Sequence, residues 1–129
     1  MKPDLVIGVK DVRASAMWYE QVFQWKARHG GEEFEVLTQQ GSEVMLCLHK
    51  WGTHEHPTLR APSDTPGNGL ILYFRTPQMH AIRARMEKLG FPVVEEVHLN
   101  PNSGIEEFSF RDPDGYYITA SADHTFGLA

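Results

Sequence analysis

The sequence is short of most features that would announce a function class. Its 129 residues contain one cysteine, Cys47, so no disulfide can form within the chain, and a reducing compartment is expected. No apolar run approaches the length of a membrane span, and the N-terminal stretch has neither a long apolar segment nor a small-residue cleavage site. Basic residues are few: 12 Lys plus Arg stand against 17 Asp plus Glu, a formal charge of −5. They are scattered, with no run that could grip phosphate or anionic lipid. A phosphate-cradling glycine loop, a Gly-x-Ser-x-Gly elbow and a paired-cysteine motif are all missing. These absences predict a soluble cytoplasmic protein whose partners are neither nucleic acid nor membrane. The length is enough to bury a real core without staples.

What is present is a grammar used twice. Residues 5–10 alternate Leu5, Ile7 and Val9 against Val6, Gly8 and Lys10, the period of a strand. From Ala14 the period changes: Trp18, Tyr19, Val22, Phe23 and Trp25 fall on one helical stripe, and the helix should end by His29, before Gly30-Gly31. Strands are expected over 33–38 and 43–49. Residues 50–69, with Pro57, Pro62, Pro66 and three glycines, have no period and read as a long surface connection. The second half restarts with a strand over 70–75. A helix face follows at Met79, Ile82, Met86 and Leu89, which Gly90 ends, and then a strand over 91–97 with Pro92 at its start. A loop at 100–104 leads to the run Phe108-Ser109-Phe110-Arg111-Asp112-Pro113-Asp114-Gly115-Tyr116-Tyr117-Ile118-Thr119-Ala120-Ser121. It is a hairpin whose turn has Pro113 to preset φ and Gly115 to take a positive φ. The expected organisation is one domain over 1–129, built from two βαβββ modules, about 1–50 and 69–124, joined by the connection 50–69.

On these residues the chain resembles the vicinal oxygen chelate superfamily, which includes glyoxalase I, bleomycin-resistance protein and extradiol dioxygenases. The resemblance rests on Val9-Lys10-Asp11-Val12, on Trp18-Tyr19 followed by Val22-Phe23-Gln24-Trp25, on Leu89-Gly90-Phe91, and above all on Phe110-Arg111-Asp112-Pro113-Asp114-Gly115. It implies an α+β fold of two βαβββ modules whose curled mixed sheets surround a cleft. It also implies a divalent metal held by side chains from the first and last strands of each module. Carried over one at a time, those positions fall on Asp4, on Gly69, on Thr119, and on Met45, Cys47 or His49. Glycine offers no donor and threonine a poor one, so the expectation is no metal and no other cofactor at the family's site.

A second candidate is the segment from His49 to His56, where His49, His54 and His56 carry imidazoles suited to Zn, Ni or Cu and Glu55 lies between the last two. Its plainer reading, three solvated histidines in a mobile connection, is the one expected. Strand alternation assigns Met45, Cys47, His49, Ile71, Tyr73, Arg75, Tyr117 and Thr119 to the cleft, with Trp51 either closing over it or packing as an ordinary loop residue. That lining is mainly apolar with a few hydroxyls and one cation, which suits an aromatic or amphipathic molecule. Phe108 and Phe110 are expected in the core, and Cys47 as buried filler. Glu95-Glu96 and Glu106-Glu107 are expected at solvated edges. The leading function is a metal-free, homodimeric small-molecule binder of the bleomycin-resistance type. The alternatives are a metal-dependent lyase, isomerase or dioxygenase, and a structural or regulatory protein with a vestigial cleft.

Overall fold

The computed structural model describes residues 1–54, 56–62 and 66–128; Glu55 lies outside the described residues. The chain folds into two compact units, Met1–Pro66 and Gly67–Ala129. The first runs β1 (Val6–Val9), α1 (Val12–Phe23), β2 (Lys26–Ala27), β3 (Phe34–Gln39) and β4 (Glu43–Lys50). The second runs β5 (Leu72–Arg75), α2 (Met79–Leu89), β6 (Glu95–Leu99), β7 (Glu106–Arg111) and β8 (Tyr117–Ser121). Each unit carries a mixed four-stranded sheet, ordered β1-β4-β3-β2 and β5-β8-β7-β6, so the second order repeats the first strand for strand. In each, the first strand pairs in parallel with the last, and the remaining pairs are antiparallel. This is the α+β, two-module βαβββ architecture expected from the sequence; neither sheet is closed.

In the first unit, Asp11 starts α1 by accepting the Ala14 N–H at 2.9 Å on its side chain, which satisfies one of the orphan donors of the first turn. The helix stops at Phe23, short of the expected reach toward His29. Gln24 takes a left-handed φ of 62° and returns its N–H to the Glu20 carbonyl. Trp25 then folds back, its ring 4.4 Å from Phe23 and 5.7 Å from Tyr19, both stacked. Val12, Ala16, Tyr19 and Val22 are buried with Ile7, Val9, Leu37, Leu46 and Leu48 as one apolar core, each large side chain contributing about 1.5–3 kcal/mol.

In the second unit, the hairpin turn is held by the Asp112 carboxylate, which accepts the N–H groups of Asp114 and Tyr116, both at 2.9 Å. Gly115 supplies φ 93°. Phe108 and Phe110 are fully buried, as expected for core residues. Two expectations need correction. The strand expected from residue 91 begins at Glu95, because Phe91 returns its N–H to the Met86 carbonyl to finish α2 and Pro92 has no N–H to pair. Glu107 is buried rather than solvated. β7 is covered on both faces from residue 107 to 110, and Glu107 accepts a hydrogen bond from the Asn100 side-chain amide.

Candidate functional site

Strand register decides which side chains share a face. In the first unit β1 pairs with β4 so that Val6 lies opposite Cys47 and Gly8 opposite His49, while Ile7, Leu46 and Leu48 fill the helix side. In the second unit Leu72 lies opposite Ile118 and Tyr73 opposite Thr119. Matching the buried pairs Ile7–Leu48 and Leu72–Ile118 makes His49 the repeat counterpart of Thr119. Cys47 and Met45 stand two and four residues further back.

Gly8 leaves room for Trp51. A Cβ there would meet the indole ring at 2.6 Å, so the half-buried Trp51 packs on the β1 backbone, with its main-chain N–H given to the Val9 carbonyl at 3.2 Å. Cys47 is 6 % exposed. Burial, and then the carboxylate of Asp4, push its thiol above the ordinary range, so it rests protonated and is a poor nucleophile.

The histidines differ most from expectation. His49 is buried, at 2 % exposure, and its Nδ1 lies 2.8 Å from the Lys50 carbonyl. That oxygen can only accept, so Nδ1 carries the proton and Nε2 is left as an acceptor. His54 Nδ1 sits 3.0 Å from that acceptor, and its Nε2 lies 3.4 Å from a Glu33 carboxylate oxygen. One nitrogen from each of His49, His54 and His56 lies within 4.8 Å of the others. The imidazoles are therefore gathered around a buried member, not dispersed along the connection. The signal for this in the sequence is only the His-x-His spacing after a strand-terminal histidine.

The positions carried over from the superfamily do not fit a metal ion. Asp4 is exposed ahead of β1 and Gly69 has no side chain. Thr119 is buried with its hydroxyl 2.9 Å from that of Ser109, already engaged. An exposed carboxylate, one imidazole and a neutral threonine hydroxyl paired with Ser109 fall short of a coordination shell.

Within the second unit, Tyr73, Asn100, Asn102, Ser103, Ile105, His124, Phe126 and Gly127 line a cavity of about 550 Å³. The His124 and Phe126 rings meet edge to face at 4.4 Å, and Tyr73 stands 6.1 Å from each. Arg75 lies over the Phe126 ring at 4.7 Å and donates to the His124 carbonyl at 3.0 Å. The Phe126 N–H donates to His124 Nδ1 at 3.1 Å, which leaves the proton on Nε2, 3.3 Å from the Tyr73 hydroxyl. Tyr73 therefore accepts from His124 and keeps its own O–H to donate. Of the residues the sequence assigned to a cleft, Tyr73 lines this cavity and Arg75 braces it. Ile71 is exposed, Met45 is half-buried on β4, and Tyr117 lies half-buried under Arg111, whose guanidinium is 5.3 Å from its ring. His124, Phe126, Asn100 and Asn102 were not legible as site residues, since they come from a loop and from the stretch after the last strand.

The chain is similar in structure, at 25% identity and TM-score 0.71, to a virulence protein from Salmonella typhimurium, with 96% of this chain and 98% of that one covered. An integron cassette protein from V. cholerae is 29% identical with a TM-score of 0.69, covering 95% and 97%. A lactoylglutathione lyase from Agrobacterium tumefaciens shares the fold at 20% identity and TM-score 0.74, covering 99% and 97%. No curated protein sequence matches the chain. The sequence profile of the Glyoxalase/Bleomycin resistance protein/Dioxygenase superfamily matches residues 3–119, and the chain belongs to that superfamily.

Proposed function

We propose that this protein binds a small aromatic or amphipathic molecule and does so without a metal at the superfamily's strand positions. The observation that carries the reading is the cavity of the second unit. Its volume of about 550 Å³ is within the range of small-molecule sites, roughly 300–1,000 Å³. Its walls are two aromatic rings and an imidazole, with the Tyr73 hydroxyl and the Asn102 amide as orienting groups. A planar ligand carrying an acceptor would stack on Phe126 and accept a hydrogen bond from the Tyr73 hydroxyl. The protein acts as a homodimer in the reducing cytoplasm. The flanks of the edge strands β1 and β5 support the dimer, because Leu5, Val6, Leu70 and Ile71 are exposed there and such edges invite a two-fold partner.

A fluorescence and thermal-shift titration with a broad panel of aromatic and amphipathic compounds tests this reading. At least one compound is expected to bind, with Tyr73→Ala and Phe126→Ala each weakening it about tenfold or more, as loss of an aromatic anchor does. No binder across the panel, or binding indifferent to both substitutions, overturns it. The reading as a metal-dependent lyase, isomerase or dioxygenase has one observation in its favour, the gathered imidazoles of the first unit.

A further inference from the structure

We propose that His49, His54 and His56 form a binding site for a borderline divalent transition-metal ion of the zinc class, local to the first unit. His49, at the end of β4, stands at one of the superfamily's last-strand positions, but the other two ligands come from the connection after it and not from any of the family's strands. It does not depend on the aromatic cavity of the second unit.

The nitrogens around His54 are placed to take a cation. Its Nδ1 faces the acceptor Nε2 of His49 at 3.0 Å, and its Nε2 faces a Glu33 carboxylate oxygen at 3.4 Å. Both neighbours are acceptors, and a neutral imidazole has one N–H. Without an ion, the His54 Nδ1–H donates to His49 Nε2. Moving that proton to His54 Nε2, beside Glu33, leaves two lone pairs facing one point, where a metal ion takes the place of the shared proton. His56 then brings a third nitrogen to the same point, all three within 4.8 Å. Three imidazole nitrogens this close together are a ligand set for one metal ion.

Two further features are those of a built metal site. Metal-bound imidazoles donate their other ring N–H to a carbonyl or carboxylate, which fixes tautomer and orientation. His49 does this to the Lys50 carbonyl at 2.8 Å, and His54 Nε2 stands 3.4 Å from a Glu33 carboxylate oxygen, placed to do so when Nδ1 binds an ion. The connection is also shaped for the purpose. His54 takes a left-handed φ of 58°, which histidine adopts more readily than most residues but still uncommonly. The chain before it is tied to the end of β4 by Thr53 Oγ1 to the Lys50 carbonyl at 3.0 Å, and to the turn that follows by the Gly52 N–H to the Leu59 carbonyl at 2.7 Å. With Zn–N distances of about 2.0–2.1 Å, tetrahedral ligands stand about 3.3 Å apart. The His49–His54 pair thus opens slightly and His56 swings inward. Nitrogen ligands favour Zn, Ni, Co or Cu over Mg or Ca. Three protein ligands leave a position open for water or an anionic group, as in catalytic rather than structural zinc sites.

The experiment titrates the full chain, freed of any affinity tag, with Co²⁺ followed by its visible d–d absorption and then by Zn²⁺ competition. The expected result is one ion per chain at micromolar affinity or tighter, with band intensity typical of four-coordination and displacement by Zn²⁺. His54→Ala and His56→Ala, both at exposed positions that the fold does not need, should each lower affinity on the order of 100-fold or more. Glu33→Gln should lower it about 10-fold, as loss of an outer partner does. His98→Ala in the other unit should leave it unchanged. Absence of Co²⁺ and Zn²⁺ binding at tens of micromolar overturns the proposal. So does binding that survives the His54→Ala/His56→Ala double substitution.

Discussion

Glu35→Gln tests the electrostatic keystone of the first unit. Glu35 is fully buried on β3. Its Oε1 accepts the N–H groups of Arg28 and His29, both at 2.7 Å, and of Val36 at 2.9 Å. Oε2 accepts the Gly30 N–H at 2.7 Å and the Arg13 guanidinium. Burial on its own would raise the carboxyl; the bonds from His29, Arg13, Arg28 and Gly30 outweigh it and hold the group at about 2, against an ordinary 4.5. That difference corresponds to about 3 kcal/mol of folding free energy. Because the folded value is the lower one, this contribution is complete above pH 4.5 and is lost as pH falls toward 2. A glutamine keeps one oxygen and turns an NH₂ toward donors on the other side, so two or three buried donors lose their acceptor whichever way it is placed. Urea unfolding at pH 7 should show the variant about 3 kcal/mol less stable, its midpoint lower by about 1–3 M. Between pH 5 and pH 3 the wild type should lose about 2 kcal/mol that the variant does not, and the gap between them should narrow accordingly. A variant within about 0.5 kcal/mol of wild type at pH 7, or a gap that stays constant with pH, would show that the carboxylate does not clip residues 28–31 to β3.

Two further perturbations probe the carried-over strand positions. Thr119→Val strips the Ser109 hydroxyl of its buried partner 2.9 Å away and should cost about 1–3 kcal/mol in chemical denaturation; adding Ser109→Ala should recover part of that loss, whereas strictly additive losses would dissociate the two hydroxyls. Cys47, 6 % exposed and held protonated by burial and the Asp4 charge, should react with a thiol reagent at pH 7.5 at least about 100-fold more slowly than in the urea-unfolded chain; reaction at the unfolded rate would mean that β4 opens freely.

How much of this was readable in advance follows from how local each feature is. The hairpin turn could be read because Pro113, Gly115 and the Asp112 side chain act within five residues of chain. The start of β6 could not, because it was set by the end of α2, where Phe91 gives its N–H back to Met86. Glu107 resembled any solvated strand carboxylate until the pairing of β7 on both sides buried it.

By itself, the sequence determined the period and the repeat. Apolar alternation and helical stripes specify two βαβββ modules, because side-chain direction follows backbone geometry residue by residue. The superfamily's turn and helix signatures were legible for the same reason. Tertiary structure decided where functional groups meet. His49 was brought against His54 and Glu33 by the path of a connection without period, and Tyr73 against His124 and Phe126 by chain that follows the last strand. The first leaves only the His-x-His spacing as a local mark, and the second leaves none. Proximity between residues 51 positions apart, as Tyr73 and His124 are, is created by strand register and loop closure, and no short window of sequence contains either.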